Sequence, residues 1–253
     1  MLKLKTETQN FKLKIIFLGT PQFVQPIKQE LKKHFFLVKL LKEADLAVVA
    51  AYGRILTKEE LNLPKYGSLN VHPSLLPKYR GPSPIQTAIL NNNKTSGITI
   101  IKMDEKADHG PIIYQESLDL SDSDNCDMLS KKMFLRASEI LPQVIENFIS
   151  GKIKLVEQNH SKATFTQHLT KEDGYFTINN PPSAEILDRM IRAYYLWPGV
   201  WTKWRVKSLE SRVKEKIVKF LPGKQIQMEG KKPISFNDFL NGYPDFPLKN
   251  HHL

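Results

Sequence analysis

The sequence has a single cysteine, Cys126, in 253 residues. One thiol excludes an internal disulfide framework and any cysteine-built zinc site, and it fits a reducing compartment. Long apolar runs are missing as well. The longest is Leu46–Tyr52, far short of the ~20 residues that a membrane helix needs. The start, MLKLKTETQNF, carries Glu7 and no apolar core, so it makes a poor export or organellar signal. Acidic residues are scarce: 26 Asp and Glu face 37 Lys and Arg, giving a formal charge of +11 and a pI near 9.5. These deficits predict a soluble, cytoplasmic, basic protein with no membrane span. The rest is ordinary, 41% hydrophobic and 25% charged, which rules out wholesale disorder and fibrous repeats.

The excess charge is concentrated. Residues 201–232 alone carry a net +7, and clustered Lys and Arg gain affinity for phosphates through counterion release. A solvated basic face accounts for the same numbers equally well.

Along the chain, residues 1–11 read as a tail. Lys14–Leu18 is an apolar strand that breaks at Gly19-Thr20-Pro21, and a helical pattern follows to about Lys33. Leu46–Ala51 is continuously apolar, as suits a strand buried on both faces of a parallel sheet. Further strands are expected at Gly67–Val71, Ile98–Met103 and Ile112–Glu116, with a helix at Ser83–Leu90. A helical stripe over Asp127–Ile149 is interrupted by Pro142, which predicts a kink or break. Strands alternating with helices predict an α/β, Rossmann-like, mostly parallel sheet over residues 12–150. Residues 151–182 end in Asn179-Asn180-Pro181-Pro182 and read as a linker. Residues 183–253 form a smaller β-rich part containing Trp197, Trp201 and Trp204. Two or more of these indoles are expected in its core, although all three could stack on bases.

Chemistry gathers at Asn70-Val71-His72-Pro73-Ser74-Leu75-Leu76-Pro77. Ligands of open parallel sheets bind at the carboxyl ends of strands, where this segment falls. Residues two apart on a strand share a face, so Asn70 and His72 present an amide and an imidazole together. If strands adjoin as usual, Asp108 reaches the same place from the loop after Met103. An amide that donates to an oxyanion, an imidazole and a carboxylate suit acyl or formyl transfer to an amine. For an isolated Asn-x-His, a turn cap and a strand-end histidine would be the better explanation.

The flanking residues decide. The run NVHPSLLPKYRGPSPIQ, with VVAAYGRIL before it and GITIIKMDEKADHGPII after it, resembles the 10-formyltetrahydrofolate-dependent formyltransferases. In the C-terminal part, IRAYYLWPG and MEGKKPISFNDFLNGYPDF are similar to stretches of the methionyl-tRNA formyltransferases. The resemblance spans about residues 14–246. It implies a catalytic trio of Asn70, His72 and Asp108. It also implies a site for the donor 10-formyltetrahydrofolate, walled by Ser74, Leu75, Leu76, Pro77, Tyr52, Gly53, Ile55 and Leu56 and gripped largely through backbone groups. The acceptor would be initiator methionyl-tRNA, with no metal involved. The C-terminal part would be an OB-like barrel, contacting tRNA through Arg205, Lys207, Arg212, Lys214, Lys216 and Lys219, with Arg80 added from the first part. A monomer is expected. The alternatives are a formyltransferase acting on a sugar or other small amine, and a non-catalytic homologue that binds tRNA or folate.

The chain departs from that family's pattern between Gly19 and Asp45. Only 25 residues lie there, where the family places a second strand, a long loop that engages the tRNA acceptor end, and a helix–strand–helix stretch. A parallel crossover needs a dozen or more residues, so at least one strand and the tRNA-gripping loop are expected to be absent. Phe35, Phe36 and Val38 are expected to close the gap, as a short edge strand or as an apolar plug beside Leu46–Ala50. Gly19-Thr20-Pro21 reads as a plain turn, His109 as loop surface, and Cys126 as an inert thiol. His160 and His168 lack metal-like partners, and His251-His252 read as part of a polar tail.

Overall fold

The computed structural model describes residues 12–207 and 213–249. The expected tail, residues 1–11, lies outside them. The chain forms two compact units that do not follow chain order. One takes in the chain up to His72 together with Thr99–Gln115 and Phe134–Gln158. The other takes in Pro73–Ile98, Glu116–Met133 and the chain from Asn159 onward.

The larger sheet has six strands: β1 (Lys14–Leu18), β2 (Phe36–Leu37), β3 (Leu46–Val49), β4 (Ser68–His72), β5 (Thr95–Lys102) and β6 (Ile112–Asp119). Their order is β2-β1-β3-β4-β5-β6. The pairs β1–β2, β1–β3 and β3–β4 are parallel, whereas β4 and β5 run antiparallel. All four residues of β3 are buried, as its unbroken apolar sequence requires of a strand covered on both faces. The helices are α1 (Gln25–His34), α2 (Lys58–Asn62), α3 (Pro84–Leu90) and α4 (Cys126–Ile149). Pro84 opens α3, where its missing N–H costs nothing.

The second sheet is smaller and antiparallel. After α5 (Ala184–Ala193) come β7 (Val200–Lys207), β8 (Val213–Leu221), β9 (Gln225–Met228), β10 (Ile234–Ser235) and α6 (Phe236–Gly242), with the strands in the order β10-β9-β8-β7. Ser183 caps α5 by accepting from the Ile186 N–H. The α/β fold followed by a smaller β-rich sheet is therefore as expected. Trp204 is buried, its ring edge-on to Tyr243 and Phe246. Trp201 is half-buried, and Trp197 is exposed.

Two expectations need correction. Of the kink or break expected at Pro142, the break does not occur: α4 runs unbroken for 24 residues. A proline removes one N–H, so only the bond to the Ser138 carbonyl is lost. The buried stripe of Leu129, Met133, Ala137, Leu141, Val144 and Ile145 holds the helix on both sides of it. The short edge strand expected after α1 does form, as β2 beside β1, and Val38 packs against Ala47 within Leu46–Ala50. Phe35 is buried, whereas Phe36, the next residue along, is 58% exposed.

The link from β2 to β3, residues 38–45, is also shorter than a usual crossover and still joins parallel strands. It suffices because β2 pairs only with Lys14 and Ile15, at the start of β1. The chain has little distance to recover before the Asp45 N–H donates to the Lys14 carbonyl at 2.8 Å. Val38, Leu41 and Ala44 of the link pack against Ile16 and Ala47, covering a face that a crossover helix would otherwise cover. Among the described residues no helix is long and apolar enough to cross a membrane.

Candidate active site

Asn70 and His72 stand two residues apart on β4, so they share a face. Antiparallel pairing sets Asn70 opposite Ile101 and His72 opposite Thr99 on β5. Beyond Lys102 the chain turns through residues 103–111 and returns as β6. The turn is built by Asp104, whose carboxylate accepts from the Lys106 N–H (3.0 Å) and pairs with His109 Nδ1 (2.6 Å). Gly110 lies so close to β5 that a Cβ there would sit 1.8 Å from the Lys102 carbonyl oxygen. Only glycine fits. Asp108 has φ 49°, a left-handed conformation uncommon for a side-chain-bearing residue and enriched at functional sites.

That conformation aims the Asp108 carboxylate at β4. Its Oδ1 accepts from Asn70 Nδ2 at 3.0 Å and lies 3.4 Å from His72 Nδ1. The His72 side chain is 4% exposed and that of Asp108 14%. An amide donor, an imidazole and a carboxylate that touches both thus meet in one compact unit. His109 turns to Asp104 instead, as a loop side chain.

The residues expected to wall a folate site divide into two groups. After β3, Ala51 (φ 46°) and Gly53 (φ 75°) turn the chain sharply. Arg54 clamps that turn through two bonds to Glu60, at 3.0 and 2.8 Å, with its guanidinium over the Tyr52 ring. Ile55 is 89% exposed, Tyr52 is half-buried, and Leu56 packs into a core with Val49 and Leu61. In the other unit, Ser74 is buried with its hydroxyl donating to the Lys78 carbonyl (2.6 Å). Leu76 is also buried, while Leu75 and Pro77 are half-buried. Leu56 and Leu76 therefore support the backbone and offer little side-chain surface.

The expected tRNA contacts separate more widely. Arg80 is 3% exposed, its guanidinium on His160 Nδ1 at 2.9 Å and its N–H on the Thr164 carbonyl. Enclosed in this way it has no surface to offer a phosphate, and it leaves the basic set. Arg212 lies outside the described residues, and Lys207 ends β7. Because strand residues alternate, Lys214 and Lys216 fall on the β8 face of buried Val218 and Phe220, whereas Lys219 falls on the opposite one. The β7–β8 register places Lys203 and Arg205 on that opposite face too. Both are exposed. Lys203 was not among the expected contacts, although period-two alternation from Trp201 would have found it.

Trp201, Lys219, Gln225 and Gln227, together with Val200 and Phe220, line a cleft of about 510 Å³. A second cleft of about 410 Å³ shares Trp201 and Lys219 and adds Lys171 and the exposed Trp197. Cys126 is buried, and burial pushes its thiol up to about 11. No group of His, Cys, Asp and Glu among the described residues could hold a metal ion.

One side chain escaped sequence reasoning altogether. Gln158 is buried, and its Nε2 donates to the carbonyls of Asp108 (3.0 Å) and Gly110 (2.7 Å). It is 50 residues from Asp108, in the segment read as a linker, and no local pattern marks it.

Comparison with known proteins identifies the family. Residues 25–145 match the formyl transferase family. A methionyl-tRNA formyltransferase from Caldicellulosiruptor saccharolyticus is 34% identical over 249 residues, covering 87% of this chain and 78% of that protein. The chain belongs to the methionyl-tRNA formyltransferase family. It spans about half the length of other curated family members that it matches at 41–42% identity. Among solved structures, the family member from Clostridium thermocellum has a TM-score of 0.63 at 20% identity, covering 88% of this chain and 96% of that one. HypX from Aquifex aeolicus, solved in complex with tetrahydrofolic acid, has a TM-score of 0.67 at 14% identity over 91% of this chain and 47% of its own. At these identities the two structures speak for the fold.

Proposed function

We propose that this protein transfers the formyl group of 10-formyltetrahydrofolate to the α-amine of initiator methionyl-tRNA. The observation that carries the reading is the Asp108 carboxylate in contact with both Asn70 and His72, in a chain of this family. The acceptor amine attacks the formyl carbon, and the carbonyl oxygen becomes an oxyanion. The Asn70 amide has two N–H groups. One serves Asp108, and the second faces the oxyanion. His72 balances the developing charge, and Asp108 fixes His72 and takes the proton of the attacking amine, directly or through water. Collapse breaks the bond from the formyl carbon to N10, which gains a proton, and leaves N-formylmethionyl-tRNA. No metal is required. The exposed Ile55 and the backbone of the turn at Tyr52 and Gly53 are the parts of the trio's own unit suited to holding the folate.

The reading gives the formyl chemistry to residues 12–150 and the tRNA to residues 183–253, with 151–182 between them, in a cytoplasmic monomer. Lys203, Arg205 and Lys219 on the outer face of the small sheet would meet phosphates, without reading sequence.

One observation favours a smaller acceptor. Residues 38–45 pack onto the sheet at Ile16 and Ala47, where family resemblance implies a loop for the tRNA acceptor end. Purified protein given 10-formyltetrahydrofolate with either methionyl-tRNA or amino-sugar nucleotides separates the two. Formylation of methionyl-tRNA at the higher kcat/KM is expected. A preference for the sugar would replace the acceptor, and turnover of neither substrate would leave a binding protein.

A further inference from the structure

We propose that Gln158 is a positioning residue for the proposed formyl transfer, holding the Asp108 loop in the one conformation that brings its carboxylate to Asn70 and His72. The proposal rests on the reading of the trio given above. Asp108 sits at φ 49°, a sparsely populated region for a non-glycine residue, which persists only where its surroundings impose it. The buried Gln158 amide donates to the carbonyls on either side of His109, at Asp108 (3.0 Å) and Gly110 (2.7 Å). One side chain thus fixes two peptide planes, and the first of them carries the Cα of Asp108. From within the turn, Asp104 holds the Lys106 N–H and the His109 ring. From below, the 1.8 Å approach denies Gly110 a Cβ. Gln158 supplies what neither can, a tie from a distant segment to the backbone of the reacting carboxylate.

Without that tie, a buried carbonyl at Gly110 and a part-buried one at Asp108 lose this donor, and Asp108 can relax to a commoner φ. The carboxylate then turns away from the amide and the imidazole. Substrate-binding surfaces elsewhere are untouched, so the effect belongs on kcat. A displacement of about 1 Å in a catalytic group can cost about 100-fold in rate.

The test compares wild type with Gln158→Met, which keeps the volume and removes both donors, and with Gln158→Glu. Three results are expected. Gln158→Met lowers kcat by about 10- to 100-fold, with KM for folate and for tRNA within about threefold. Hydrogen exchange speeds up at residues 104–110 and stays unchanged in β1, β3 and β4. Gln158→Glu is as slow at neutral pH, but its rate relative to wild type recovers as pH falls, because a protonated carboxyl regains one donor. A folded Gln158→Met variant with kcat within twofold of wild type overturns the proposal. So does faster exchange spread over the whole sheet with kcat and KM changing together. If Gln158→Met does not fold, the pH course of Gln158→Glu decides. A wild-type protein that formylates nothing defeats the functional reading instead, and the exchange comparison still decides whether Gln158 holds the loop.

Discussion

Replacing Asn70 by aspartate tests the geometry of the trio with almost no change in shape. Asn70 Nδ2 donates to Asp108 Oδ1 at 3.0 Å. In Asn70→Asp a carboxylate oxygen takes that place, and two like charges about 3 Å apart repel by about 5 kcal/mol at an effective dielectric of about 20. The pair can escape by sharing one proton, at a cost of about 1.4 kcal/mol per pH unit above the usual carboxylate value near 4. The sign follows from linkage. A carboxylate whose folded pKa is raised costs nothing below its unfolded value, and it destabilises progressively as pH rises to the folded one. The stability gap between Asn70→Asp and wild type should therefore widen by about 3–4 kcal/mol from pH 5 to pH 8. The partial exposure of Asp108, 14%, places the expected value toward the lower end. Urea unfolding at each pH measures the gap, with an unchanged m-value as the control for two-state behaviour. Turnover should fall about 10²–10³-fold for loss of the oxyanion donor. Asn70→Ala should match that loss with a gap nearly independent of pH. A flat gap in Asn70→Asp would mean that the two side chains do not touch in solution, and the trio would fall with it.

What was legible in the sequence follows from the range over which each signal acts. β1 and β4 were readable because apolar runs and turn residues are local, and Asn70 and His72 because strand alternation is local too. Asp108 needed the strands to adjoin, which the β4–β5 register supplies. Its left-handed backbone, and the glutamine 50 residues away that holds the loop carrying it, have no local signature. Arg80 shows the reverse error. It is charged and lies beside the motif, yet its partners at residues 160–166 enclose it, and sequence proximity could not reveal them. At Pro142 a local penalty of about 3 kcal/mol is outweighed by a helix buried along its length. In the link of residues 38–45, a rule about crossover length gives way because β2 is only two residues long. The common cause is tertiary contact, which decides between local preferences that a sequence can only present.

Several further tests separate these elements. Lys203→Gln, Arg205→Gln and Lys219→Gln together should lower the slope of log K against log salt for tRNA by about 2–3; an unchanged slope would move the tRNA surface elsewhere. The Cys126 thiol, raised to about 11 by burial, should resist iodoacetamide at pH 8 in the native protein and react on unfolding. Rapid native alkylation at pH 8 would contradict its enclosure. Gly110→Ala should destabilise by about 1–3 kcal/mol and slow turnover, because the 1.8 Å approach to Lys102 pushes the Asp108 loop outward; a neutral variant would show that the loop is not held there. The edge strand gives the sharpest contrast, since adjacent residues with the same side chain have opposite surroundings. Phe35 is 6% exposed and Phe36 58%, so truncation of the first removes buried surface and leaves a cavity, whereas truncation of the second removes a ring already largely in water. Phe35→Ala should cost about 3–5 kcal/mol and Phe36→Ala about 0.5 kcal/mol or less, by urea unfolding of each single variant. Equal losses would mean that both rings are buried against the sheet, and that the two-residue pairing of Phe36 and Leu37 with β1 is not how the chain closes this edge.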